Sequence, residues 1–365
     1  MAKRKKRSSS GRFVLGMLIY ALLFLLVVAV GLRFFWSYLE AYENSRPKNT
    51  MEEYITSFDA EHIHRVAADF VATLDHHVQT EEESYAYIAA AMEGKLSYAK
   101  LSSESTEDKT TYIISLDGRK LGRVVLTKQA DPVLGFSPWT VAEEELDFTW
   151  LLSSREITVP DTWKVSCNGN VLDASYLTGE KTPYAILREF YDDGFSLPYM
   201  VTYQVDSFVG QVELALTDED GQPVELTEGD SEALFTDNCS DSVKAEITRI
   251  TERFVQDYVR FMSDTEGYAY DNYLRLHELV IEGSDLDDRL LNTIPSLVYA
   301  SSRGDDIVSI TLNDSMDLGN SYYYADTTFL VDTEGQKGIV QTTNNMKLLI
   351  SRTDGEMKVA AIESY

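Results

Sequence analysis

The sequence predicts an α+β protein that is attached to a membrane by one amino-terminal helix. Three observations support this. Phe13–Leu32 is an uncharged apolar run, apolar residues then recur every three or four positions, and later segments alternate apolar and polar residues. Helical and strand-like patterns follow one another in blocks, which is typical of α+β domains with antiparallel sheets. The predicted fold is an apolar helix followed by two α+β modules that flank a small β-module.

Residues 13–35 are predicted to cross the membrane. At about 1.5 Å per residue, the run Phe13–Leu32 just spans a hydrocarbon core of ~30 Å. The basic tail at residues 1–12, which holds Lys3–Arg7, places the amino terminus in the cytoplasm and the rest of the chain outside it. A signal peptide cleaved near Ala29–Gly31 is the alternative, but signal-peptide apolar regions are shorter, about 7–15 residues.

Length and charge limit the class of function. The chain has 365 residues, which at ~150 residues per domain indicates two or three folding units. Lys and Arg number 32 and Asp and Glu number 60, so the formal net charge is −28. The first acidic residue is Glu40, so the part after the basic tail is still more acidic. Such a surface repels phosphate groups, which excludes nucleic acid as a partner.

Changes of pattern predict the module boundaries. Arg46-Pro47 should break the segment after the membrane helix, because the residue before proline disfavours helical dihedrals. The predicted divisions are a stalk at 36–50, a first α+β module at 51–152, a small β-sandwich-like module at 153–228, a linker at 229–242 and a carboxy-terminal α+β module at 243–365.

The first module is predicted to place two helices before antiparallel strands. Asp59 is a helix cap, and Asp117-Gly118 favours a two-residue hairpin turn. The predicted elements are helices at Asp59–His77 and Glu81–Glu93, strands at Thr110–Leu116 and Leu121–Lys128, and a β-rich stretch at Phe136–Trp150.

The middle module is predicted to consist of short strands joined by tight turns. Ile157–Cys167 alternates apolar and polar residues and ends at Asn168-Gly169, a turn dipeptide. Pro183 is suited to the start of a short helix. Further strands are predicted at Tyr199–Phe208 and Gln211–Leu216.

The carboxy-terminal module repeats the order of helices before strands. Apolar residues from Ile247 to Phe261 form one helical stripe, those from Tyr273 to Val280 a second, and Leu286–Val298 a third that Pro295 interrupts. Four strands are predicted at Ile307–Leu312, Tyr322–Val331, Gly338–Ile350 and Met357–Ile362.

This order and length of elements resembles the nuclear transport factor 2-like (SnoaL-like) cone fold, in which a curved sheet surrounds an amino-terminal helix and can leave a pocket. The first module has a similar, shorter plan. The segment ITVPDTWKVSCNGN resembles small extracellular β-modules, and the whole layout, including YENSRPKNTMEEY, is similar to membrane-anchored envelope proteins of Firmicutes-type bacteria. The resemblance implies a pocket where His277 lies near Asp257 or Tyr258, a combination suited to acid–base chemistry.

Other motifs in the sequence predict no site. Ser97–Lys100 matches an SxxK pattern but lacks its companion motifs. Two of the histidines, His62 and His64, would point about 200° apart on a helix, which argues against a shared metal. The other clustered histidines are His76 and His77. No catalytic residue, cofactor or metal is therefore predicted, and the pairing of the two cysteines, Cys167 and Cys239, stays open.

The clear anchor and the missing catalytic motifs favour a non-catalytic role at the cell membrane. We expect a single-pass protein that contacts the bilayer through residues 13–35 and binds an envelope protein or peptide, or scaffolds an envelope assembly. Two alternatives stay open. One is an envelope hydrolase or isomerase that uses a cone-domain pocket, and the other is a subunit of a secretion or conjugative-transfer channel.

Overall fold

The computed structural model describes residues 10–130, 132–227, 229–235, 238–263, 268–297, 305–335 and 338–365. Its contacts divide the chain into two compact units. The first unit is Met1–Ser153 with Asp206–Gln211, and the second unit is Ser154–Val205 with Val212–Tyr365. The predicted basic segment Lys3–Arg7 lies outside the described residues.

Helix α1, Ser10–Asn44, contains the apolar run. Its part Phe13–Asn44 is long and apolar enough to cross a membrane, with a mean hydropathy of 3.0 in its most apolar window and none of that window buried. Arg46 is extended, and α2, Pro47–Thr56, begins at the proline, so the predicted break is confirmed. The structure thus has an amino-terminal apolar helix that continues beyond the apolar run.

Two further helices of the first unit begin at side-chain caps. In α3, Ala60–Val71, the Asp59 side chain accepts a hydrogen bond from His62 N. In α4, Glu81–Ala91, Thr80 and Glu83 form a capping box. Helix α3 therefore starts where the sequence predicts it.

The carboxyl end of α3 differs from the prediction, because the helix ends at Val71 rather than near His77. The following residues leave the helix to pair with the Asp206–Gln211 segment. Asp75 N donates to Ser207 O at 2.8 Å. This long-range pairing overrides the local helical pattern.

The first sheet is an antiparallel meander whose strand order follows the chain. Its strands are β1 Leu96–Leu101, β2 Lys109–Leu116, β3 Arg119–Lys128 and β4 Trp139–Leu146. Asp117 and Gly118 both have positive φ, at 49° and 87°, as the predicted hairpin turn requires. The core of this unit includes Ile63 and Ile88 of the helices and Ile114 and Leu126 of the sheet.

The middle part of the chain forms two small sheets. The strands are β5 Leu152–Pro160, β6 Lys164–Cys167, β7 Asn170–Val171, β8 Leu177–Pro183, β9 Tyr199–Val209, β10 Leu214–Thr217 and β11 Pro223–Val224. The sheet orders are β11-β10-β6-β7 and β5-β9-β8. The prediction of a single strand over Ile157–Cys167 is wrong, because this segment is divided between the two sheets. Its first residues belong to β5 and its last residues to β6. Trp163 N donates to Pro160 O at 3.0 Å, which turns the chain at the end of β5.

The carboxy-terminal part contains the predicted helices and meander. The helices are α5 Asp241–Ser263, α6 Ala269–His277 and α7 Asp285–Leu297, and the strands, in sheet order, are β12 Asp305–Gly319, β13 Tyr322–Gly335, β14 Gly338–Thr353 and β15 Glu356–Ser364. Pro295 lies inside α7 near its end instead of interrupting it. Phe254 of α5 is fully buried in a core with Phe329, Leu348 and Val359 of the sheet.

We predict that Phe254→Ala lowers the free energy of unfolding of the second unit by about 3–5 kcal/mol, because it leaves a cavity under the sheet. Arg253→Ala is the matched control, since the adjacent Arg253 guanidinium is half exposed and pairs with the exposed Glu278. Urea denaturation of the full chain in detergent would measure both. A Phe254→Ala transition that matches that of Arg253→Ala would contradict the assigned core.

Candidate functional site

The described residues contain two clusters in which a histidine contacts a carboxylate beside a tyrosine, one in each unit. The first cluster consists of Tyr54 of α2, His62 and Arg65 of α3, and Glu144 of β4. The second consists of Tyr273 and His277 of α6 and Asp287 of α7.

A bulge in β4 aims Glu144 of the first cluster inward. Val125 of β3 pairs with Glu143 and the next residue, Leu126, pairs with Val141, so Ala142 is left without a partner. Without this extra residue, the alternation from Trp139 would put odd-numbered positions on the inner face. The bulge shifts the alternation by one residue, and bulges commonly re-aim a side chain in this way.

The His62 and Glu144 side chains are each only 10% exposed and form a close pair. His62 Nε2 lies 3.1 Å from Glu144 Oε1, and Arg65 Nη1 donates to Glu144 Oε2 at 2.7 Å. The His62 ring also packs edge-on against the Tyr54 ring, at a centroid distance of 4.9 Å. Glu144 therefore lies within ion-pair distance of the His62 imidazole and the Arg65 guanidinium at once.

Burial dominates the electrostatics of this cluster. It lowers the pKa of His62, and although the Glu144 carboxylate opposes this shift, the Arg65 guanidinium adds to it. Burial also raises the pKa of Tyr54, and Glu144 raises it further. Among the described residues, none forms a hydrogen bond of regular geometry with Tyr54 Oη. His62 is thus held in its neutral form at neutral pH.

The first cluster lines a surface cavity of about 570 Å³ between α2, α3 and β4. Trp139 and Val141 supply apolar wall, and Glu53 and Glu143 add acidic groups. The cavity combines a neutral imidazole, a paired carboxylate and a buried phenol, groups that can exchange hydrogen bonds with a small polar ligand.

The second cluster joins two helices. His277 Nδ1 lies 2.9 Å from Asp287 Oδ1, and Tyr273 Oη donates to the same oxygen at 2.9 Å. Gly283 N donates to Asp287 Oδ2 at 3.0 Å. Burial raises the pKa of Asp287, but the bonds from His277, Gly283 and Tyr273 outweigh it and hold that pKa below its ordinary value. Burial and Asp287 raise the pKa of Tyr273 to about 12.

The three residues of the predicted pocket have different surroundings in the structure. His277 joins Asp287, whereas Asp257 pairs with Arg260 Nη1 at 3.3 Å. Tyr258 stacks on Phe254 and lines two cavities of about 360 and 350 Å³. The described lining of these cavities includes neither His277 nor Asp257. A shared pocket for the three residues stays a prediction.

Sequence reasoning missed the partners of both histidines. Glu144 is the middle of three consecutive glutamates, and only the position of the bulge selects it. Asp287 lies in an acidic helix start, ten positions beyond His277, a spacing that no single helix brings together.

His64 and His76 have partners outside the first cluster. His64 stacks on Tyr85 at a centroid distance of 3.7 Å, and His76 lies 4.0 Å from Glu81. Within the described parts of the chain, no group of three or more His, Cys, Asp or Glu residues could hold a metal ion. Cys167 is buried and Cys239 is half-buried.

No protein-family model and no curated protein matches this sequence. Solved structures similar to the chain include Ntf2-like proteins. An Ntf2-like protein involved in plasmid conjugation is 11% identical, with a TM-score of 0.26, over 83% of this chain and 86% of its own. The Ntf2-like potential transfer protein TraM from the Gram-positive conjugative plasmid pIP501 is 12% identical, with a TM-score of 0.24, over 33% and 96%.

The intermembrane-space region of the chloroplast protein ARC6 is also similar, at 8% identity and a TM-score of 0.25, over 32% of this chain and 94% of its own. TM-scores this low do not establish a shared fold.

We predict that the first unit loses stability as pH falls below about 6.5, because the unfolded state then binds a proton that buried His62 resists. The loss should not exceed about 1.4 kcal/mol per pH unit for one proton. Thermal unfolding of the full chain between pH 5 and 8 would measure it. His62→Gln should remove this part of the pH dependence, and an unchanged dependence in that variant would refute the assignment.

We predict that Asp287→Asn destabilises the second unit by about 1–3 kcal/mol, because it weakens hydrogen bonds to a buried charged acceptor. Asp288→Asn is the control at an exposed neighbouring carboxylate, where the change should stay within about 0.5 kcal/mol. Equal effects of the two substitutions in chemical denaturation would show that the second cluster does not hold α6 against α7.

Proposed function

We propose that the chain is a single-pass membrane-anchored protein whose extracytoplasmic part binds a protein or peptide of the cell envelope without catalysis. The observation that carries this proposal is the continuity of α1. One helix runs from the apolar residues at Phe13 to Asn44, and its last turns pack against Phe136 in the loop between β3 and β4.

The packing of α1 against the loop between β3 and β4 favours a retained anchor over a cleaved signal peptide. Phe136 packs edge-on against Tyr38 and Tyr42 of α1, at centroid distances of 5.1 and 5.6 Å. Just beyond the helix, Ser45 O accepts from Trp139 Nε1 at 2.9 Å. The apolar run is thus joined to the folded unit through a continuous helix rather than a loose linker.

The orientation of the protein is part of the same proposal. The segment Lys3–Arg7 is the basic flank of the apolar run, and Glu40 is the first acidic residue. The positive-inside rule then keeps the amino terminus in the cytoplasm and puts the rest of the chain beyond the apolar run outside it.

Surface chemistry supports binding over catalysis. Tyr268, just before α6, is 83% exposed, and Tyr270 and Leu274, which are four residues apart on α6 and so share a face of it, are also well exposed. Exposed tyrosines provide large contact areas at a low entropic cost. These residues form the contact surface to which we assign the partner.

An envelope enzyme is the second candidate, and the cavity at His62 is the observation that favours it. A neutral imidazole beside a carboxylate can act as a general base. However, Glu144 is shared between His62 and Arg65, and both units lack a recognised nucleophile motif. This arrangement supports ligand contact better than proton transfer.

We predict that the full-length chain stays in native membranes after an alkaline carbonate wash and forms a discrete photo-crosslink from position 268 to one or two envelope proteins. Exposed Asp288 in the same unit is the matched control position. The combined change Tyr270→Ser and Leu274→Ser should abolish the adduct at 268 because it removes contact area. Mass spectrometry would identify the adducts and the mature amino terminus.

Release by carbonate, or a mature chain that starts after Gly31, would overturn the anchor. Equal crosslinking from 268 and 288, or no adduct at either position, would overturn the binding surface. Repeated capture of several integral membrane proteins would assign the chain to a channel assembly, such as the conjugative machinery in which two of the similar Ntf2-like proteins are named.

A further inference from the structure

The loop between β3 and β4 ends in an uncharged tip, Val133–Phe136, that runs beside α1. Val133 and Phe136 pair as an isolated antiparallel bridge. Val133 N donates to Phe136 O with an N···O distance of 2.8 Å, and Phe136 N donates to Val133 O with an N···O distance of 2.9 Å. Leu134 and Gly135 make the turn between them with φ of 51° and 88°. Such turns usually hold Asn, Asp or Gly, so a leucine here is unusual.

Two contacts fix the direction of this loop along α1. Trp139, at the start of β4, contacts Ser45 just after the helix. Three residues nearer the tip, Phe136 contacts Tyr42 and Tyr38, which lie earlier in the helix. The loop therefore advances toward the apolar run as it approaches its tip.

The helix rise places the tip at the membrane interface. Tyr38 lies about 9 Å beyond Leu32 along the axis, since each residue adds about 1.5 Å. The headgroup layer occupies roughly 5–8 Å outside the hydrocarbon core. Leu134 and Gly135 form the turn beyond the Val133–Phe136 pair, so Leu134 lies one residue step, about 3.5 Å, nearer the core than Phe136. Because Phe136 contacts Tyr38, Leu134 reaches about the level of Trp36 of α1.

The side chains at this level share an apolar character. Val133 and Leu134 are 55% and 44% exposed, and Phe34, Phe35 and Trp36 on α1 are more than half exposed. Aromatic residues of this kind concentrate at membrane–water interfaces. An apolar tip that is costly in water is stabilised where the headgroups meet the acyl chains.

We propose that Val133 and Leu134 insert into the headgroup–acyl boundary of the leaflet through which α1 leaves the membrane. This second lipid contact rests on the proposed anchor. One helix alone leaves rotation about its own axis unrestrained, whereas a loop that enters the lipid beside it fixes the rotation and holds the first unit against the surface. The partner that the loop tip contacts is the lipid bilayer.

An environment-sensitive fluorescent amino acid would test this in the full chain in phosphatidylcholine liposomes that contain lipids brominated on the acyl chains. The probe replaces Leu134, Phe24 within the apolar run, or exposed Lys120 at the opposite end of β3, about 26 Å from Lys128. We expect strong loss of emission at 24, intermediate loss at 134 and unchanged emission at 120. Val133→Asp should reduce the loss at 134 and leave the loss at 24 unchanged.

The remaining outcomes distinguish a failure of the loop contact from a failure of the membrane anchor. Loss at 24 with unchanged emission at 134 overturns the lipid contact of the loop and leaves the anchor in place. Unchanged emission at 24 overturns the anchor and, with it, the loop contact. Equal loss at 120 and 134 shows that the tip has no special access to lipid, which also overturns the inference.

Discussion

The exposed apolar run of α1 is the constraint on which the rest of the structure depends. Phe13–Leu32 places 20 uncharged residues on one helix, and none of its most apolar window is buried by the protein. Removing such a surface from water is strongly favourable, so the helix requires a nonpolar environment that the folded units do not supply. The end of α1 then positions the rest of the first unit, since Phe136 packs against Tyr42 near that end and Trp139 donates to Ser45 just beyond it.

The two histidine clusters place the same two groups, an imidazole and a carboxylate, in different surroundings. His62 and Glu144 line an open cavity, and the carboxylate is shared with Arg65 from the solvent side. His277 and Asp287 instead link consecutive helices, with Gly283 and Tyr273 completing the bonds of the carboxylate. Satisfied buried carboxylates of the second kind stabilise packing, whereas the cavity at the first cluster leaves room for a ligand.

Local signals in the sequence were sufficient to predict most elements, and contacts between distant residues explain where they failed. Asp117-Gly118 and Arg46-Pro47 act through their own dihedral preferences, so the hairpin and the helix break were predictable. The end of α3 depends on Ser207, far along the chain, and was not. The Glu144 contact was hidden for a related reason, because strand alternation alone places its neighbours inward.

The bulge at Ala142 also has a consequence for the tolerance of the first cluster to change. Residues 143–145 are all glutamate, and the bulge selects the middle one to face His62. If an insertion or deletion moved the bulge by one position, the inward residue would still be a glutamate. The sequence therefore supplies a carboxylate opposite His62 in more than one strand register.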